Sequence, residues 1–273
     1  MNLQSNEVQT ITTSANDVDE IQIIQSTATP QGEIQTITVS PPPGETVLDA
    51  LYSFSLVLDT TNSGGSIQYS GQISATADAS GSRSSIEEIL GAMSNVDSLP
   101  SVSKTDMNPD GGFTYTVTFP TSMRNVPELE VYLSDIPVSI STIEDSNVLG
   151  GFFRLEYGGQ VTDPIPIDAD EAQMQIALED LSSVGEVIVS RSDGDDQNGY
   201  TWTIQFASDE NGGDLDDLIV HSEDVSSTSN AGGASVQVVP GGTDGSYISG
   251  TFTVEFGKSS CLQQSILSFF QLL

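Results

Sequence analysis

Gly112-Phe113-Thr114-Tyr115-Thr116-Val117-Thr118-Phe119 and Gly199-Tyr200-Thr201-Trp202-Thr203-Ile204-Gln205-Phe206 place an aromatic or aliphatic residue at every second position. Side chains of a strand point alternately to opposite faces, so one face of each octet packs a core. Working outward, an amphipathic helix precedes each octet. The first carries Ile86, Ile89, Leu90, Met93 and Val96, and the second Met174, Ala177, Leu178, Leu181 and Val184. These i, i+3, i+4, i+7 stripes cover one face of a sheet. Ser84/Ser85 and Asp168/Asp170 supply N-caps with acidic first turns.

Further out the chain repeats itself at 99 residues. The triplets Phe54/Leu56/Leu58, Phe153/Leu155/Tyr157 and Phe252/Val254/Phe256 open three copies of one strand pattern. One helix per copy cannot supply the crossovers of a parallel α/β sheet, whereas many short alternating strands fit a sandwich. The expected fold is therefore mainly β: two tandem β-sandwich (Ig-like) domains, each with one inserted helix, behind an extended β-strand arm. The expected boundaries are 1–46 for the arm, 47–148 for the first sandwich and 149–249 for the second. Residues 250–273 read either as the start of a third repeat or as a non-homologous tail, since the pattern stops after Gly257.

The arm has a shorter period. Glu7-Val8-Gln9-Thr10-Ile11-Thr12 is echoed by Glu20-Ile21-Gln22-Ile23-Ile24-Gln25 and again by Glu33-Ile34-Gln35-Thr36-Ile37-Thr38, at spacings of 13 residues. β-Branched residues in period-two alternation predict strands, and Pro41-Pro42-Pro43-Gly44 closes the arm with a stiff extended spacer. The arm contains no helix pattern and no aromatic residue, so it does not bury enough surface to fold alone. The expectation is β-augmentation: Val8, Thr10, Ile11, Ile21, Ile23, Ile34, Thr36 and Ile37 form assembly strands that add to open sheet edges, with Val and Ile filling the partner's grooves. At about 3.3 Å per residue, a 13-residue period spans about 43 Å, so the units can engage successive domains or successive subunits along a fibre. On that reading, removal of residues 1–44 leaves both domains folded and abolishes a polymer.

Composition narrows the function classes. In 273 residues, 39 Asp+Glu stand against 6 Lys+Arg, a net charge of −33. Phosphate recognition runs on clustered Lys and Arg, and the six basic residues form no patch, so nucleic acid is not an expected partner. No run of about 20 apolar residues predicts a membrane span. The lone cysteine, Cys261, allows no intrachain disulfide, and the lone histidine, His221, removes every mechanism that needs two imidazoles.

The remaining candidates for chemistry are sparse. Asp193, Asp195 and Asp196 offer oxygen ligands of the kind Ca²⁺ takes from flexible loops, although the spacing is not that of an EF-hand, and solvated acidic loops are the plainer reading. His221 has no Gly-x-Ser-x-Gly elbow to serve. Tyr115, Tyr200 and Trp202 alternate in register with Val117 and Ile204, which assigns them to a core rather than to a sugar platform. No cofactor is expected beyond calcium. No Asn-x-Ser/Thr sequon occurs, while the abundant Ser and Thr leave O-linked glycans open.

Two sets of motifs carry a family resemblance. Residues 7–14 (Glu-Val-Gln-Thr-Ile-Thr-Thr-Ser) form the first. The second is 150–159 (Gly-Gly-Phe-Phe-Arg-Leu-Glu-Tyr-Gly-Gly) with Thr162-Asp163-Pro164-Ile165, Ala177-Leu178-Glu179-Asp180-Leu181 and Gly185-Glu186-Val187-Ile188-Val189-Ser190-Arg191. Together they resemble the repeats of very large secreted proteins of heterokont algae and water moulds, and the subunits of tubular flagellar hairs (mastigonemes). The second repeat matches over 149–206. The first diverges, with Ser82-Arg83-Ser84 in place of the Pro-Ile-Pro approach to the helix. The resemblance implies an extracellular, glycosylated, filament-forming protein and transfers no catalytic residues. The expected function is thus a non-enzymatic structural protomer that polymerises head to tail with itself. The alternative is an adhesive or carbohydrate-binding module of a giant secreted protein.

Overall fold

The computed structural model describes residues 10–14, 16–81, 83–248 and 251–254. Two strands come first, β1 (Glu20–Thr27) and β2 (Ile34–Val39). The first repeat follows with β3 (Ser53–Asp59), β4 (Ile67–Tyr69), β5 (Ile73–Ser74), helix α1 (Ile86–Gly91), β6 (Ser101–Lys104), β7 (Phe113–Thr118), β8 (Glu130–Ser134) and β9 (Val138–Glu144). The second contains β10 (Leu149–Tyr157), β11 (Gln160–Val161), β12 (Ile165–Pro166), helix α2 (Glu171–Glu179), β13 (Val187–Arg191) and β14 (Thr201–Phe206). It ends with β15 (Ile219–His221), β16 (Val225–Ser227) and β17 (Ser235–Thr243). Every strand pairing is antiparallel, and the chain is mainly β.

Among the described residues four sheets form two sandwiches. In the first, sheet β6-β7-β2-β9 faces a sheet centred on β3, which pairs with β4, β5 and β8. In the second, β13-β14-β1-β17 faces a sheet centred on β10, which pairs with β11, β12, β15 and β16. Each pair of sheets encloses its own core. Ile37, Val39, Phe54, Leu56, Leu58, Tyr115 and Val117 fill the first; Ile24, Phe153, Leu155, Trp202, Ile204 and Phe206 fill the second.

The helices lie where their apolar stripes predict. Ile86 and Leu90 of α1, and Met174 and Leu178 of α2, are buried. Both helices end sooner than the stripes, at Gly91 and Glu179. Met93 and Val96, like Leu181 and Val184, reach the core from the turns that follow. Ser85 caps α1 by accepting the Glu88 N–H, and Asp170 caps α2 in a capping box with Gln173.

The arm requires correction. Residues 20–27 and 34–39 are strands, as expected, but they do not stand apart from the sandwiches, and the boundary at residue 46 separates nothing. β1 lies between β14 and β17 in the second sandwich, and β2 between β7 and β9 in the first. Both are inner strands whose backbone groups are paired on both sides, so Ile21, Ile23, Ile34, Thr36 and Ile37 belong to the chain's own sheets. The order is reversed: the earlier strand enters the later sandwich. Two connections, residues 28–33 and 145–148, therefore run side by side between the domains. The Asn147 amide donates to Thr29 O at 2.7 Å and to Gly232 O at 2.8 Å, and the Asn147 backbone N–H donates to Gln31 O at 2.9 Å.

Candidate functional site: the inserted strands

The face that β1 and β2 turn inward is not the one with the most aliphatic residues. Along β1 the buried side chains are Glu20, Gln22, Ile24 and Ser26, while Ile21 and Ile23 are half-buried; just before and along β2 they are Glu33, Gln35, Ile37 and Val39. Only two hydrocarbon anchors per sandwich, at most, come from this face, so its polar residues must find partners or oppose folding.

They do, in matching ways. Gln22 donates from Nε2 to Asp216 O at 3.1 Å and accepts the Leu218 N–H on Oε1 at 2.8 Å. Gln35 donates to Val126 O at 3.3 Å and Pro127 O at 3.1 Å, and accepts the Leu129 N–H at 2.9 Å. Each glutamine thus takes the place of a strand for a loop whose groups have no other backbone partner among the described residues. Glu20 accepts the Gly245 N–H at 2.7 Å; Glu33 accepts the Ser146 N–H at 3.0 Å. Ser146 and Gly245 are themselves 99 residues apart. The Glu-x-Gln pair is therefore a polar clamp that fastens an inner strand to two neighbouring segments: a loop of its sandwich through Gln, and through Glu the segment that follows the sandwich's last strand. Burial pushes the Glu33 carboxyl above its ordinary pKa, and the Ser146 N–H opposes that rise.

A pattern of aliphatic side chains alone passes over the clamp residues. The signal was present, because Glu and Gln recur at 7/9, 20/22 and 33/35. Of the expected assembly residues in the first unit, Val8 lies outside the described residues, while Thr10 and Ile11 are exposed and belong to no strand. Ile11 is 59 % exposed, whereas its counterparts Ile24 and Ile37 are fully buried.

The acidic loop has a structural place. One Asp195 carboxylate oxygen accepts the N–H groups of Gln197 (2.9 Å) and Gly199 (2.7 Å), fixing the turn before β14. Asn108 does the same for Asp110 and Gly112 before β7. Asp196 accepts the Thr121 hydroxyl at 2.6 Å and the Asp195 carbonyl accepts from Arg124, so the loop ties the second sandwich to the first. Asp193 is exposed. Among the described residues no three His, Cys, Asp or Glu side chains are grouped to hold a metal ion. His221 Nε2 sits 2.9 Å from Glu156 Oε2 on the neighbouring strand β10. Trp202 is fully buried and donates to Ala169 O at 3.0 Å; Tyr115 donates to Ala77 O at 2.7 Å from the corresponding place. Among the described residues no helix is long and apolar enough to cross a membrane.

No family model and no curated protein matches the chain.

Proposed function

We propose that the chain is a non-enzymatic structural protomer of an extracellular fibril, an array of β-sandwiches laced together by strands from one N-terminal segment. The observation that carries this reading is the reversed insertion of β1 and β2. Domains joined by one linker move relative to one another by default. Here each sandwich is completed by a strand that must pass the other, so pulling the sandwiches apart also pulls on sheet hydrogen bonds and clamps. That is an arrangement suited to bearing tension along a filament. The motifs at 7–14 and 150–191, which resemble those of secreted repeat proteins and flagellar-hair subunits, support the same reading, with O-linked glycans on the abundant Ser and Thr.

Electron micrographs of native material test it, with filaments expected. Each subunit brings a net charge of −33, so packing requires that charge to be screened or bridged, and assembly is expected to depend on salt or Ca²⁺ while the fold does not. Assembly indifferent to chelator and ionic strength counts against the reading. One observation favours an adhesive or carbohydrate-binding module instead: Tyr69 on β4 and Tyr132 on β8, in the sheet centred on β3, are exposed with ring centroids 4.5 Å apart. Dispersed particles that bind a glycan, with binding lost in Tyr132→Ala, would favour that alternative.

A further inference from the structure

We infer that the first Glu-x-Gln unit, residues 7–13, is the inner strand of a third sandwich of the same repeat, the one that residues 251–256 begin. Four observations converge. Units two and three each complete one sandwich, in reverse order along the chain: residues 33–39 enter the first and 20–27 the second. Continuing that order assigns unit one to a third. The triad Glu, Gln, Ile that faces inward on β1 and β2 recurs in the sequence of all three units, at 7/9/11, 20/22/24 and 33/35/37, and residues 7–14 differ from 33–40 only at Val8 against Ile34 and Thr13 against Val39. A carboxylate and an amide placed two apart on the side of a strand that faces the core have a use only where loop backbone groups meet them, as in the two clamps described above.

The other two observations come from the far end of the chain and from exposure. Phe252 and Val254 stand 99 residues after Phe153 and Leu155, which are fully buried on β10, yet they are 61 % and 54 % exposed. Ile11 is the matching exposed member of the arm. In each completed sandwich the Glu-x-Gln strand and the strand that contains that phenylalanine lie on facing sheets and share one core. The two ends of this chain thus repeat, in sequence, the two patterns whose strands meet across both completed cores, and Ile11, Phe252 and Val254 of those patterns are exposed. The partner is a sheet of this repeat type lacking its inner strand. It offers two unpaired strand edges, an apolar socket for Ile11, a backbone N–H for Glu7, and a backbone N–H and carbonyl for Gln9. A second copy of this chain does not offer that sheet, because both of its sandwiches already hold their own strands.

The inference rests on the topology and not on the fibril. Its failure would leave a filament to assemble through other surfaces, and dispersed particles in micrographs would leave the strand competent. The test lengthens the full chain after residue 249 with a second copy of residues 149–249, which supplies the third sheet without an inner strand. Amide exchange at residues 8–13 is expected to slow by at least about a hundredfold relative to the natural chain, as for other inner strands. Ile11→Asp in the lengthened chain is expected to restore fast exchange there and to remove one unfolding transition while leaving the other two. Exchange at 8–13 as fast as in the natural chain overturns the inference. So does protection that appears in the natural chain and rises with its concentration, since the partner is then a second copy. A second variant guards against a poor junction: in the natural-length chain, Ile34→Val with Val39→Thr gives the first sandwich the sequence of unit one. The first sandwich is expected to stay folded, melting within about 10 °C of the parent, and its loss overturns the inference.

Discussion

The first sandwich and the second hold their inner strands with the same two side chains and differ at several places around them. Helix α1 has six residues and a serine cap, whereas α2 has nine and a complete capping box. Lys104 donates to the carbonyls of Thr76 and Ala77 and lies over Phe113, while Arg191 donates to those of Asp168 and Ala169 and lies over Tyr200. Tyr115 in one core is Trp202 in the other, and both donate to an alanine carbonyl. The chemistry at these places is a role that several residues can fill: a cation that gathers carbonyls, or a large ring with one donor. The clamp is different. It requires a carboxylate and an amide at fixed separation, because the amide must both donate to a carbonyl and accept an N–H from one loop while the carboxylate meets a second. Where only one solution satisfies buried groups the two sandwiches agree; where several do, they diverge.

The comparison breaks most visibly by removing one strand and not the other. Deleting residues 1–31 takes β1 and leaves β2, so the second sandwich is expected to lose its unfolding transition while the first keeps its own. Deleting 1–44 is expected to unfold both, the reverse of what a free arm would give. Calorimetry reads either result, and two surviving transitions after the shorter deletion would mean that β1 is dispensable.

Next in size are the apolar anchors. Ile24→Ala and Ile37→Ala each remove a fully buried side chain and are expected to cost about 2–5 kcal/mol, as is Leu178→Ala on α2. Each loss should appear in one sandwich only. If Ile24→Ala and Ile37→Ala shift both transitions equally, the junction couples the domains into one cooperative unit.

The clamps come third. Gln22→Leu leaves the Leu218 N–H and the Asp216 carbonyl without these partners, and Gln35→Leu does the same to Leu129, Val126 and Pro127. Each is expected to cost about 1–3 kcal/mol by denaturant titration, the penalty for stranded buried groups. Effects near zero would reduce the Glu-x-Gln pattern to a tolerated polarity. Unequal effects would show which sandwich relies on it more.

What sequence could and could not reveal follows from the range of the forces involved. The octets ending at Phe119 and Phe206, the stripes of α1 and α2, and the 99-residue period are local patterns in which burial writes itself as periodicity, and sandwiches with one helix each follow from them. The inserted strands defeated the same logic. Ile21, Ile23 and Ile34 look like the buried set, yet the side with Glu and Gln goes inward, because its partners are backbone groups about 90 to 225 residues away that leave no mark on local hydropathy. The structural role of the acidic loop is hidden for a related reason. Asp195 reads as a cation ligand in sequence, and its part in closing the turn before β14 shows only beside Asn108, the neutral residue that closes the same turn in the first sandwich.

The smallest expected effect is a pH dependence of the first clamp. Burial raises the Glu33 pKa above its ordinary value, with the charge of Asp145 adding to the rise and the Ser146 N–H working against it. A carboxyl whose pKa is higher folded than unfolded keeps its proton longer in the folded state. The unfolded chain then binds fewer protons in the window between the two values, so Glu33 favours folding at low pH and loses that contribution as pH rises through the window. Glu33→Gln removes the titration but keeps an oxygen that can accept the Ser146 N–H. The difference in melting midpoint of the first sandwich, variant minus parent, is therefore expected to rise as pH climbs from about 4 to 7, and the second sandwich serves as the internal reference. A difference that instead falls over that range would mean that Glu33 is held as a carboxylate, with the Ser146 hydrogen bond outweighing burial.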